Sequence, residues 1–358
     1  MENSISINKY TDLLFKKILD ESNNKKNRIS LLSGQGSSII SIIISINNNN
    51  KNYLIPILNK LIDRILETIE IDESPSSSYC NGLAGIGWLF LYLIEKEIIK
   101  IKSKDFFLDI DSFLKKHLKY LINKENLDLL HGGLGIGLYF LKRRNFEVVE
   151  SLLFKITEII TDDDGRLSLS YYDPYNLKTD VYDFGLAHGH SGVLYFLNKC
   201  EKAGMKNHEI KKLKNGIIKF FLYNIKRHSD HSYFPTVIAK FDYNNLYQKK
   251  ESRLGWCYGD LTILYTLLGT SIQDKNDVLR VYTEEALTNL VQRKRQKETN
   301  IKDPFFCHGT SGVGYIFLKI FHITGNDIFL RSANYWFEET LKYIEGIDLT
   351  SPQKTWPF

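Results

Sequence analysis

Cys307-His308-Gly309-Thr310-Ser311-Gly312-Val313-Gly314-Tyr315-Ile316-Phe317-Leu318 is a polar, glycine-marked start that turns at once into an apolar run. The figure recurs along the chain. Its other copies begin Leu32-Ser33-Gly34, Cys80-Asn81-Gly82-Leu83-Ala84-Gly85, Leu130-His131-Gly132-Gly133-Leu134-Gly135, Ala187-His188-Gly189-His190-Ser191-Gly192 and Cys257-Tyr258-Gly259-Asp260. The first glycines stand at 34, 82, 132, 189, 259 and 309, and the first and fifth copies lack the second glycine. Self-similarity at intervals of 48 to 70 residues marks a repeat architecture. Each run that follows is apolar on most faces and predicts a buried helix. Glycine at its start predicts a close backbone approach.

Amphipathic segments lie between these copies: 53–69, 107–122, 146–160, 209–225, 278–291 and 328–344. Their apolar residues recur at helical spacing with Lys, Glu and Asp between, which predicts outer helices wet on one side. The fold class expected is therefore all-α, an α/α toroid (barrel) of alternating outer and inner helices, with the chain 1–358 as a single domain. No run alternates strongly enough to predict a sheet. The longest interval, Gly189 to Gly259, contains a polar, aromatic stretch from Tyr233 to Ser252. It reads equally as a loop over the cavity mouth or as a surface excursion.

The composition, 43% hydrophobic and 25% charged, is that of a globular chain long enough to bury a core without disulfides. A formal charge of +5, dispersed along the chain, argues against nucleic-acid binding but suits recruitment of an acidic peptide. The basic run Arg293-Lys294-Arg295 reads as a solvated helix end. Four cysteines do not make a disulfide framework in a chain of this length. No secretory signal and no segment long enough to span a bilayer is found, so a cytoplasmic, reducing setting is expected.

Aligned on the first glycine, the residues two before it are Leu32, Cys80, Leu130, Ala187, Cys257 and Cys307. Those one before are Ser33, Asn81, His131, His188, Tyr258 and His308. Three of four cysteines and three of nine histidines thus fall at two positions. Cys257, Cys307 and His308 come from consecutive repeats, and two thiolates with an imidazole suit zinc with a fourth position open. Cys80 shares the register and is a rival ligand; Cys200 reads as structural. His188 and His131 are candidates for acid–base work. Asp128, in the loop before Gly132, is a further candidate or else a helix N-cap. His190 reads as a local hydrogen-bonding residue. Arg253 and Trp256 flank the Cys257 loop, where an arginine binds a substrate carbonyl or carboxylate, or makes an ordinary loop salt bridge.

Arg253-Leu254-Gly255-Trp256-Cys257-Tyr258-Gly259, with Cys307-His308-Gly309 and Gly185-Leu186-Ala187-His188-Gly189, resembles the lanthionine synthetase C family, the cyclases of class I lanthipeptide biosynthesis. The resemblance implies an α/α toroid holding one zinc ion on Cys257, Cys307 and His308. It implies proton transfer by His188 and Asp128, and an active-site lining that includes Arg253 and Trp256. It implies addition of peptide cysteines to dehydroalanine or dehydrobutyrine in a dehydrated precursor peptide, with a dehydratase and exporter complex as partners. It places the protein in the cytoplasm, or peripherally at the inner membrane face through that complex. The family's toroid has seven helix pairs where six glycine motifs are visible here, so a missing closing repeat at the C-terminus is expected. The competing reading is a catalytically inactive relative that binds peptides or thiols. A toroidal glycosidase ranks below both, because the inner starts offer Cys and His in place of paired carboxylates.

Overall fold

A computed structural model describes residues 29–32, 34–49, 52–72, 75–100, 105–173, 179–225, 232–240 and 252–345. The segments 241–251 and 346–358, on which the mouth-loop and missing-repeat expectations partly rest, lie outside these residues.

The chain divides into two compact units. Among the described residues, the first comprises those up to Leu121 with Leu130–Arg143, and the second comprises Ile122–Leu129 and those from Arg144 on. The first unit holds α1 (Gln35–Asn49), α2 (Ile55–Ile71), α3 (Leu83–Glu95), most of α4 (Asp105–Asn123) and α5 (Gly133–Lys142). The contrast between inner and outer helices is plain there. Helix α2 buries a single stripe, Leu58, Leu61, Ile62 and Ile65, whereas α3 buries eight of its thirteen residues. Tyr139 on α5 donates to Asp111 on α4 at 2.6 Å, and Arg143 pairs with the same carboxylate at 2.8 Å, fixing these two helices together.

The second unit holds α6 (Phe146–Ile159), α7 (His190–Lys202), α8 (His208–Tyr223), α9 (Asp260–Gln273), α10 (Asp277–Leu290), the short α11 (Gln296–Thr299), α12 (Thr310–Thr324) and α13 (Asp327–Glu345). Each inner helix packs against the outer helix that follows it, α7 on α8, α9 on α10 and α12 on α13, and α9 also packs on α7 and α12. The outer helices α6, α8 and α10 start at asparagines: the Asn145, Asn207 and Asn276 side chains accept from the amides of Val148, Ile210 and Leu279. An acidic residue follows in each first turn, where the helix dipole favours it.

The inner helices begin differently. Gly309 and Gly312 open α12, and the chain before them folds back so that a Cβ on either would run into the carbonyl of the residue six before, Asp303 or Phe306. Gly189 and Gly192 meet the carbonyls of Asp183 and Leu186 in the same way. The close approach expected of these glycines is therefore to their own preceding loop. In the fifth repeat Thr262 replaces the second glycine. Its hydroxyl donates to the returning carbonyls, 2.6 Å from Gly255 O and 2.9 Å from Trp256 O.

Two small sheets appear that the sequence reading did not expect. Strands β1 (Thr161–Asp163) and β2 (Arg166–Ser168) form a hairpin. Strands β3 (Tyr171–Asp173), β4 (Thr179–Asp183) and β5 (Val237–Ala239) form an antiparallel sheet in that order. Strands of three to five residues are too short to show alternation. The hairpin had a legible signal, since Asp164 and Gly165 both take positive φ, as a two-residue Asp-Gly turn demands.

Candidate active site

The loops before the inner helices are linked by backbone bonds in which amides two or three residues before one repeat's first glycine donate to the carbonyl two before the next repeat's. In the second unit Leu129 N donates to Ala187 O at 3.1 Å, Ala187 N to Cys257 O at 2.9 Å, and Cys257 N to Cys307 O at 3.2 Å. This ladder turns repeat register into neighbourhood. It sets Asp128 beside His188, His188 beside Cys257, and Cys257 beside Cys307 and His308.

The ligand atoms of Cys257, Cys307 and His308 all lie within 4.8 Å of one another. The His308 Nε2 is 3.4 Å from the Cys307 sulfur. The two sulfurs are joined as a disulfide, with Cα atoms 5.5 Å apart, where the sequence reading expects two free thiolates. Joined sulfurs offer no thiolate, so the set is complete as a metal site only when the pair is reduced. Burial, and then the charge of Arg253, hold the His308 imidazole below its usual range, towards the neutral form that ligates metals.

The His188 ring donates from Nδ1 to the Asp128 carboxylate. Asp128 is thereby a partner of His188 and not the N-cap that sequence also allowed. Burial pulls the imidazole pKa down, but the hydrogen bond to Asp128 and the charges of Asp128 and Asp183 outweigh it and leave a net rise. With Nδ1 committed to Asp128, Nε2 is the atom able to exchange a proton. His188 is 43% exposed, and its charge acts on His308.

Arg253 has no carboxylate partner among the described residues. Its guanidinium donates to the Tyr258 hydroxyl at 2.9 Å and to Asn300 O at 2.6 Å. Trp256 is tied to the third repeat of the group through its amide, 3.0 Å from Cys307 O. Its ring lies 5.6 Å from that of Phe306, which lies 5.4 Å from Tyr315, making a partly exposed aromatic wall beside the trio.

His131 and Cys80 belong to the first unit, where the Cys80 sulfur sits 3.2 Å from His131 Nδ1; Cys80 is not among the grouped ligands. Cys200 is fully buried in α7, and burial pushes its thiol up to about 12, as a structural cysteine requires.

Sequence reasoning misread one residue at this site. Arg293 is not solvated: it is buried, pairs with the fully buried Asp260 at 2.7 Å and donates to Ser252 O at 2.6 Å. Asp260 in turn accepts from the amides of Phe234 and Tyr233 at 2.8 and 3.1 Å. The pair fastens the loop carrying Arg253, Trp256 and Cys257. Lys294 lies over the Tyr335 ring and Arg295 pairs with Glu298, so only these two behave as surface charges.

His190 fulfils its expected local role. It is fully buried, stacks on Phe220 at 4.2 Å, donates from Nδ1 to Asp183 O at 2.6 Å and accepts from Leu169 N at Nε2 at 2.9 Å. Burial drives its pKa down to about 4, against an unfolded value of about 6.5. A depressed histidine pKa contributes stability above pH ~6.5 that is lost as pH falls towards ~4, here on the order of 3 kcal/mol. His188 runs the other way, its contribution present below its unfolded pKa and lost as pH rises. Melting curves from pH 7 to 4 are expected to fall more steeply for the parent protein than for His190→Gln. Parallel profiles would refute the assignment.

The model of the lanthionine synthetase C-like protein family matches residues 101–354, more than half of the chain. The chain belongs to that family. Among the solved structures similar to this lanthionine synthetase C-like protein is nisin cyclase, at 18% identity and a TM-score of 0.80, covering 97% of this chain and 89% of that one. The likeness shows the fold, the α/α-toroid class read from the repeats. No curated protein matches the chain. No described helix of this family member is long and apolar enough to cross a membrane.

Proposed function

We propose that this chain, 1–358 as one domain, is a zinc-dependent lanthipeptide cyclase. It would add cysteine thiols of a dehydrated precursor peptide to dehydroalanine or dehydrobutyrine and so form lanthionine and methyllanthionine rings. One observation carries the reading. In a member of this family, two cysteines and a histidine converge on consecutive helix starts with an Asp128–His188 pair next to them. The donor set fits zinc: two sulfurs and an imidazole nitrogen are three protein ligands of the kind catalytic zinc takes. Reduced Cys257, Cys307 and His308 would hold the ion. When bound, zinc supplies Lewis acidity that keeps a thiol deprotonated at neutral pH.

The chain's own residues would do the rest. The substrate thiol gives its proton to solvent, the sulfur bonds to the β-carbon, and the alkene electron pair moves to the α-carbon and the adjacent carbonyl. Arg253, held by Tyr258 and Asn300, would bind that carbonyl oxygen. His188 would deliver a proton from Nε2 to the α-carbon, and the hydrogen bond and charge of Asp128, which raise its pKa, favour the imidazolium that does so. Asp128 fixes the tautomer and balances the charge. The Trp256–Phe306–Tyr315 wall would receive apolar side chains of the peptide. The same reading gives a cytoplasmic protein, free or at the inner membrane face through a complex with a dehydratase and an exporter.

Addition of a thiol across a double bond leaves mass unchanged, so the assay is loss of alkylatable thiol from a dehydrated precursor peptide. Reduced, zinc-loaded protein should consume thiols, and His188→Ala should slow this by ~10²–10⁴-fold, the usual weight of a general acid. Persistence of every free thiol with the folded protein would sink the proposal.

A further inference from the structure

The three inner helices of the second unit share a pattern of which the reaction as proposed uses only Tyr315. Six residues after the first glycine each has a tyrosine: Tyr195, Tyr265 and Tyr315. Ten residues after it stand Lys199, Gly269 and Lys319. The first turns of these helices are otherwise largely buried. From Ser191 to Leu197 only Tyr195 is accessible, from Asp260 to Thr270 only Tyr265 and Gly269, and from Gly312 to Phe317 only Tyr315. Residues four apart lie on one helix face, so on each helix the tyrosine and the residue one turn on share an accessible face. Helix α9 packs on both α7 and α12, which brings these faces side by side. After burial, the tyrosines raise one another's hydroxyl pKa: Tyr195 feels Tyr315, and Tyr265 feels both.

The lysines are the informative members. Lys199 Nζ lies 5.0 Å from the Tyr195 ring and Lys319 Nζ 5.3 Å from the Tyr315 ring. Neither has a carboxylate partner among the described residues; the acids at the ends of α7 and α9, Glu201 and Asp274, are both taken by Lys214. In the first unit Lys142, at the same register, is paired with Glu95. Both Lys199 and Lys319 are partly buried, and burial lowers the Lys199 pKa. A partly desolvated ammonium without a counter-ion is unfavourable unless an anion completes it. Between the two lysine-bearing helices, a Cβ on Gly269 would meet nothing within 4 Å. Glycine in a helix interior costs ~0.5–1 kcal/mol relative to alanine, and here it keeps space open at the level of the two ammonium groups.

We propose that Lys199 and Lys319, with Tyr195, Tyr265 and Tyr315 around them and the gap at Gly269 between, form a subsite for a carboxylate of the substrate peptide. That the ligand is a peptide rests on the cyclase reading; the anion chemistry rests on these side chains. The lysines lie eleven residues along their helices from His188 and His308, roughly 16 Å at 1.5 Å per residue. An extended peptide covers that in about five residues. The subsite therefore selects an acidic group about five residues from the reacting thiol, either an Asp or Glu side chain or the C-terminal carboxylate.

The test uses three fluorescein-labelled cysteine peptides and the full-length reduced, zinc-loaded protein. One carries Glu five residues from the cysteine with an amidated C-terminus. One carries Gln there with a free C-terminus at that distance. One carries Gln and is amidated. Anisotropy should show one acidic peptide, or both, binding about tenfold tighter than the neutral one, the size of a single charge-assisted bond. Which of the two binds tighter identifies the carboxylate. The preference should vanish in K199Q/K319Q, return in K199R/K319R, and leave the melting temperature of each variant near the parent's. Equal binding of all three, binding of none, or a preference that persists in K199Q/K319Q overturns the subsite. The thiol assay on a dehydrated peptide is read separately. Thiol loss without acid preference removes the subsite alone, and acid preference without thiol loss removes the cyclase reading alone.

Discussion

Arg293→Met is expected to destabilise the protein by about 3–5 kcal/mol, the cost of leaving one member of a buried ion pair without the other. Asp260 is fully buried, and burial pushes its carboxyl up to about 6 even with Arg293 and two backbone amides pulling it down. Without the guanidinium, the carboxylate must be buried uncompensated or take up a proton. Methionine keeps most of the volume, so the loss reports the charge and its hydrogen bonds. For a unit of this size the melting temperature should fall by roughly 10 °C or more. Asp260→Asn in the same background should cost less than the sum of the single changes, because the two groups touch. A melting temperature for Arg293→Met within about 2 °C of the parent, less than a single kcal/mol would shift it, would show the pair to be dispensable. The change should also weaken metal binding, since Arg293 fastens the loop that ends in Cys257.

Cys307→Ala should abolish zinc binding. Reduced protein is expected to carry about one zinc per chain by plasma mass spectrometry, and the variant none after dialysis. Changes to groups that merely support a ligand typically cost 10–100-fold in metal affinity, so removal of a ligand should cost more. Cys80→Ala is the matched control. Cys80 has the same register but faces His131 in the first unit, and its loss should leave zinc content unchanged. Equal zinc in the parent and Cys307→Ala would place the metal elsewhere or nowhere.

What could be read in the sequence was what repetition encodes. The inner and outer helices fall within a few residues of the expected segments, because burial on all faces and burial on one face leave different patterns. The register of Cys257, Cys307 and His308 was legible for the same reason: equivalent positions in successive repeats become neighbours. Pairings across long separations were not. Nothing local in Arg293-Lys294-Arg295 distinguishes the arginine that reaches Asp260 from the two that face solvent. Thr262 looks like a lost glycine until its hydroxyl is seen to bond the carbonyls that glycine would otherwise have to avoid. The strands escaped notice because pairs this short are specified by a turn and by partners distant in the chain.

The backbone ladder from Leu129 through Ala187 and Cys257 to Cys307 has an evolutionary consequence. Each helix start is anchored to the next by bonds at fixed positions, so the length of chain between them need not be fixed. Gly189 and Gly259 are 70 residues apart and Gly259 and Gly309 only 50, yet both intervals deliver their residues to the same rung. Linkers in such a protein can lengthen, shorten and change sequence while Asp128, His188, Cys257, Cys307 and His308 keep their neighbours.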